Sequence, residues 1–250
     1  MDEEVKNSEE KNEPVEETVI DATSQKDTKE EKNKFSEEAK KIKDETKETV
    51  NTVKEKIKNT NFKKDANETT SFVKEMFFNP FEAVKRAADG ENILGKVIIL
   101  MIVFVAATVL QTIMTLFKVG SFFGFGHNVL RFIFSFLKPV IMVVVPSIVI
   151  WIFSGENRKK LITIISTVVV SYIPIIVNTI LLMLTTVITE LSLVTNPLSI
   201  ALSAVSTILM YFGFKELTGK SEDESVLGKF AIVLFVSEII LLILTKFGIY

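Results

Sequence analysis

The chain has no cysteine and a single histidine, His127. The first absence excludes disulfides, thiolate metal sites and cysteine nucleophiles, and the second removes most histidine-based metal and acid–base chemistry. Charge is scarce in one part of the chain only. Residues 93–250 hold 7 acids and 11 Lys/Arg, whereas residues 1–92 hold 24 acids and 18 Lys/Arg, so the formal net charge of −2 averages two unlike halves. The apolar runs of the second part exceed what one soluble core could bury. The opening Met1-Asp2-Glu3-Glu4 lacks an apolar h-region. No cleavable signal is expected there, and the first long apolar segment is expected to direct insertion. No span offers a His/Asp/Glu cluster, a pair of carboxylates or a Ser–His–Asp set, which argues against an enzyme. No cofactor, metal or nucleic-acid partner is expected.

What is present reads as an all-α integral membrane bundle of about five transmembrane helices behind a charged N-terminal tail (residues 1–70). Residues 1–31 carry 12 acids, 4 lysines and almost no large apolar side chain. That composition cannot offset chain entropy by burial, so disorder is expected. Residues 32–64 reverse the sign, with 11 lysines against 6 acids. There Phe35, Ala39, Ile42, Thr46, Val50, Val53 and Ile57 recur every three or four residues, predicting an amphipathic helix near 34–60. Two readings of it stay open: a basic helix resting on anionic lipid, or a solvated, partly helical spacer. The stripe is narrow and includes Ala and Thr, which favours the spacer.

Residues 71–92 form a juxtamembrane segment in which Phe72, Met76, Phe77, Phe78 and Phe81 concentrate apolar surface. Asn79-Pro80 is a helix-start signal, predicting a short interfacial helix from Pro80 to Ala88. The membrane domain, 93–250, holds five predicted spans at about 97–117, 132–153, 161–187, 198–214 and 230–249. Val97–Phe117 is uncharged and bracketed by Lys96 and Lys118; at 1.5 Å per residue it crosses ~30 Å of hydrocarbon. Pro174 should tilt or kink the overlong third span. The Phe-rich stretch 117–136 suggests a re-entrant or interfacial hairpin, with His127 as a surface residue.

Orientation follows from the short loops. With the tail cytoplasmic, Lys85, Arg86, Lys96, Arg158, Lys159, Lys160, Lys215, Lys220 and Lys229 fall inside, against Lys118, Arg131 and Lys246 outside. The expected location is the plasma membrane, N-terminus in and C-terminus out.

Glu238 is the one acid well inside a span, about 8 residues or ~12 Å from Phe230. A carboxylate there is costly unless protonated, paired or wet. It may be read as a neutral acid bonding a neighbouring helix, as a partner of Lys138 and Asn178, or as part of an ion or proton path; the first is favoured. Ser199, Ser203 and Thr207 repeat every fourth residue of the fourth span and predict a helix-packing face.

Phe77-Phe78-Asn79-Pro80-Phe81-Glu82-Ala83-Val84, five close spans, Tyr172-Ile173-Pro174 and the polar loop Gly219–Gly228 together resemble the Yip family (Ypt-interacting proteins), bacterial type, over residues 72–250. The resemblance implies an all-helical, non-enzymatic membrane protein with a cytoplasmic N-terminus. Eukaryotic relatives are adaptors for Rab-type GTPases; the lysine- and asparagine-rich tail, in the style of an AT-rich bacterial gene, counts against that role here. The leading expectation is a scaffold or adaptor whose partners are the bilayer and a protein met by the tail. The alternative is a small permease using Glu238 and the proline-broken helices.

Overall fold

A computed structural model describes residues 23–59, 61–91, 93–119, 125–154, 159–188, 192–219 and 225–246. Among the described residues every regular element is a helix. The chain divides into two units, Met1–Asp44 and Glu45–Tyr250. The first contains, among its described residues, only helix from Thr23 onward.

Helix α1 (Thr23–Asn59) is longer than the predicted amphipathic segment. Its first nine residues were expected to be disordered; residues 1–22 lie outside the described residues. No Pro or Gly interrupts the chain between Pro14 and Pro80, and pairs such as Glu30/Lys34 and Glu37/Lys41 place opposite charges one turn apart in the favourable order.

Helix α2 (Phe62–Phe78) starts at Asn61, whose side chain accepts from the Lys64 N–H. It ends at Asn79, where Pro80 cannot supply a continuing N–H. Helix α3 (Pro80–Ala88) then starts with Pro at its first turn, within the predicted bounds. Its setting differs from the expectation of an interfacial helix. Ala83, Val84, Ala87 and Ala88 are all fully buried, because α3 packs against α6 and α8. Phe72 and Met76 also turn into the core, while Phe77, Phe78 and Phe81 remain exposed.

The membrane part comprises α4 (Leu94–Val119), α5 (Phe125–Phe153), α6 (Leu161–Ser171), α7 (Ile173–Val187), α8 (Ser192–Thr218) and α9 (Ser225–Lys246). Four helices are long and apolar enough to cross a membrane, and five spans result if the bent pair α6–α7 counts as one. That pair turns by 47° at Tyr172, just before Pro174. The expected kink is there.

Two helix starts move outward. Helix α5 begins at Phe125, seven residues before the predicted start, so residues 125–136 continue a span instead of forming a hairpin. Pro139 and Pro146 lie inside this helix without breaking it, as neighbouring helices allow within lipid. Helix α8 begins at Ser192 and carries Pro197 inside it, lengthening a span predicted to be short.

The tightest packing joins α3, α6 and α8. A Cβ on Gly213 of α8 would stand 2.6 Å from Thr167 Cγ2 of α6 and 3.1 Å from Val84 Cγ1 of α3. The side chains around it are small or branched, and Thr167 and Ser171 each bond the carbonyl four residues back. On the remaining side of the bundle, α4 packs on α5 and α7, and α9 packs chiefly on α5.

Candidate functional site

Three polar arrangements stand out from the apolar helices. The first is a groove of about 500 Å³ between α4 and α5. From α4 it is lined by Thr108, Gln111, Thr112 and Thr115, a three-to-four-residue spacing that puts all of them on one helix face. From α5 come Arg131, Ser135 and Lys138, again three and four apart. Apolar walls are supplied by Leu116, Leu130 and Phe134.

The hydroxyls in this groove are already committed as donors. Thr108 donates to Phe104 O, Thr112 to Thr108 O, Thr115 to Gln111 O, and Ser135 to Phe132 O, at 2.6–2.9 Å. They turn only oxygen lone pairs toward the space. The groove's own donors are Gln111, Arg131 and Lys138.

The second arrangement lies where residues 45–59 of α1 meet the bundle. One carboxylate oxygen of Glu45 accepts from the Trp151 indole N–H at 3.0 Å and from the backbone N–H of Leu161 at 3.1 Å. Leu161 is the first residue of α6, and its N–H has no acceptor within that helix. The carboxylate satisfies that donor and faces the positive end of the helix dipole. Burial of Trp151 at 2 % exposure demands a partner for its indole N–H, and Glu45 supplies one. Glu48 adds an exposed ion pair with Lys160 at 3.2 Å, worth less than about 1 kcal/mol. A third polar cluster anchors α2 to α3: Arg86 reaches Glu91 at 2.6 Å and Glu75 at 2.7 Å. The hydrogen bond that Arg86 donates to Glu91, with the charge of Glu75, raises the Arg86 pKa above its ordinary value.

The residues singled out from the sequence fall in separate places. Glu238 is on an exposed face of α9, beside Phe235, Ile239 and Leu242, and makes no hydrogen bond or ion pair among the described residues. Lys138 lines the α4–α5 groove. Asn178 of α7 accepts a 2.6 Å hydrogen bond from the Ser199 hydroxyl of α8. Among the described residues, then, Glu238 neither bonds a neighbouring helix, the favoured reading, nor groups with Lys138 and Asn178, the alternative. The predicted face Ser199, Ser203, Thr207 also divides: Ser199 meets α7, while Ser203 and Thr207 are exposed. The face of α8 that packs carries Ser206, Leu209, Met210, Gly213, Phe214 and Leu217. The side chain of His127 lies outside the described residues.

Glu45 went unremarked in the sequence because nothing separates it there from the other acids of residues 32–64. Its role depends on a contact 106 residues away. Among the described residues, no group of three His, Cys, Asp or Glu comes together to hold a metal.

No protein-family model, curated protein or solved structure matches this chain.

Proposed function

We propose that this multi-pass membrane protein is a non-enzymatic, Yip-like scaffold that holds residues 45–59 of its tail against the cytoplasmic end of the bundle and presents their outer face to a partner. The supporting observation is the Glu45 contact with Trp151 and Leu161. It holds α1 by a polar flank and leaves part of the apolar stripe outward, with Val50 57 % and Ile57 45 % exposed. Lys47, Lys54 and Lys58 share the same exposed segment. An apolar stripe edged with lysines suits an acidic protein groove or an anionic lipid surface. The spans act as anchor, and the chain does no chemistry.

The orientation belongs to the same proposal. Trp151, Lys160 and the lysines around α3 mark the tail's end of the bundle, and the excess of Lys/Arg in its loops favours the cytoplasmic side of the plasma membrane. The C-terminus then lies outside. The permease alternative loses support, because Glu238 stands on an exposed face of α9 and makes no hydrogen bond or ion pair among the described residues.

The test compares the intact chain with V50E/I57E after purification from native membranes in mild detergent. The variant should keep its helicity and lose the proteins that co-purify with the intact chain. An unchanged set of co-purifying proteins would reduce the tail to a spacer. Single cysteines at Ser121, Ser154, Thr189 and Ser221 report the topology, with labelling expected from outside, inside, outside and inside. The inverse pattern would overturn the orientation.

A further inference from the structure

We infer that the outward face of α9 is a contact between two copies of this chain, joined at Glu238. The inference stands apart from the tail and from the scaffold reading.

The argument begins with cost. Glu238 lies six residues before Leu244, the nearer end of its apolar span, and so roughly 9 Å inside it. Its Cα–Cβ bond leans toward the N-terminus of the helix, away from that end, so the short side chain does not reach water there. A carboxyl group at this depth needs a partner, and none of the described residues supplies one. The inner face of α9 is complete without it, with Phe230, Val233, Ser237 and Leu241 all buried. Its partner is then on a neighbouring molecule.

The face that carries Glu238 has the pattern of a helix-pairing seam. Gly228, Ala231, Phe235, Glu238 and Leu242 are all exposed, at steps of 3, 4, 3 and 4. A mean step of 3.5 residues keeps one stripe against a second helix in a left-handed pair. A Cβ on Gly228 would meet nothing within 4 Å, and Ala231 follows one turn on, so a second backbone can come close there. Phe235 and Leu242, 67 % and 65 % exposed, bracket Glu238 and would shield it from lipid once paired.

The membrane selects a second copy as the occupant. Every copy inserts with the same orientation, so two α9 helices pair in parallel, about an axis along the membrane normal. Residues of equal depth then meet, and Glu238 stands opposite its own counterpart. A protonated carboxyl group is donor and acceptor at once, so two of them satisfy each other. A different membrane protein would need a hydrogen-bonding group at this depth on a matching stripe. A second copy carries both by construction.

The chain contains no cysteine, so single substitutions report the contact. F235C and L242C on the seam, with I102C and I208C on exposed faces of α4 and α8, are made in the full-length chain. Each is oxidised with copper phenanthroline in the membranes of the cell that made it, then purified and weighed without reductant. F235C and L242C should run largely as a species of twice the chain mass, and the two controls as monomers. Energy transfer between fluorescently labelled copies of the full chain in mild-detergent micelles then measures the strength of pairing. E238L should weaken it on the order of 5- to 30-fold. E238Q, whose amide is again donor and acceptor, should stay within about 3-fold. Circular dichroism checks that both variants keep the helicity of the parent. Equal cross-linking at seam and control positions, or a parent chain that stays monomeric, would overturn the contact. A seam product of any other mass would give the face to a different protein. Unchanged pairing in E238L would overturn the role assigned to Glu238.

Discussion

The junction of α3, α6 and α8 and the groove between α4 and α5 are built from the same residue types and reach opposite results. Both use threonine and serine at three- and four-residue spacing, with hydroxyls turned back onto their own helix. At the junction Thr167 and Ser171 stand against Gly213, so the backbones close up there. In the groove such residues face Arg131, Lys138 and Phe134, and the helices stand apart around about 500 Å³. Small polar side chains thus license close approach without dictating it. The size and charge of what stands opposite decides whether a membrane interface becomes a joint or a cavity.

The comparison breaks most sharply at Gly213. Its Cβ-free surface lies against Thr167 and Val84, both at least 98 % buried, so neither can swing away. Gly213→Val should cost about 3 kcal/mol, the upper end for overpacking, read as the unfolding midpoint in mixed micelles. A comparable insertion at the groove, Thr112→Leu, fills open space and should cost far less. Equal losses would erase the distinction between joint and cavity.

Next comes the tail. Glu45→Ala strands the Trp151 indole N–H and the Leu161 N–H together, and should destabilise the docked segment by about 2 kcal/mol. Faster hydrogen exchange across residues 45–59, with the spans unchanged, is the expected signature. Unchanged exchange would mean that other contacts hold the segment. Trp151→Phe keeps most of the buried ring and removes one donor, leaving Glu45 its bond to Leu161, so about 1 kcal/mol is expected.

How much of this was legible in the sequence follows from the range of each interaction. The apolar spans, the Pro80 start of α3 and the bend at Pro174 are local consequences of hydropathy and of proline's missing N–H, and the sequence carries them. The span predicted to start after Pro197 instead carries it inside α8, as α5 carries Pro139 and Pro146, because tertiary neighbours re-satisfy the freed carbonyls inside a bundle. The facing of side chains was the least legible. The cost of a carboxylate inside a span favours a bond from Glu238 to a neighbouring helix, yet α9 packs chiefly on α5 and leaves that residue exposed. A four-residue repeat named Ser199, Ser203 and Thr207 as the packing face of α8. The face that packs is the one carrying Gly213, set by what α3 and α6 present, which no single helix encodes. The same holds for Glu45.

The smallest predicted effect tests whether side-chain hydrogen bonds hold these helices together at all. The Ser199 hydroxyl donates to the Asn178 side chain, a hydrogen bond between α8 and α7 at 2.6 Å and partly buried. In a lipid environment such a bond stabilises by only about 0.6 kcal/mol on average, because the separated helices find other partners. Ser199→Ala should therefore barely move the unfolding midpoint, and Asn178→Leu slightly more, since it also replaces an amide by a larger apolar group. The double variant should recover part of the sum if the two side chains depend on each other. A loss near that of Gly213→Val would mean that polar pairing, and not the close fit of small residues, is what sets the packing of α8.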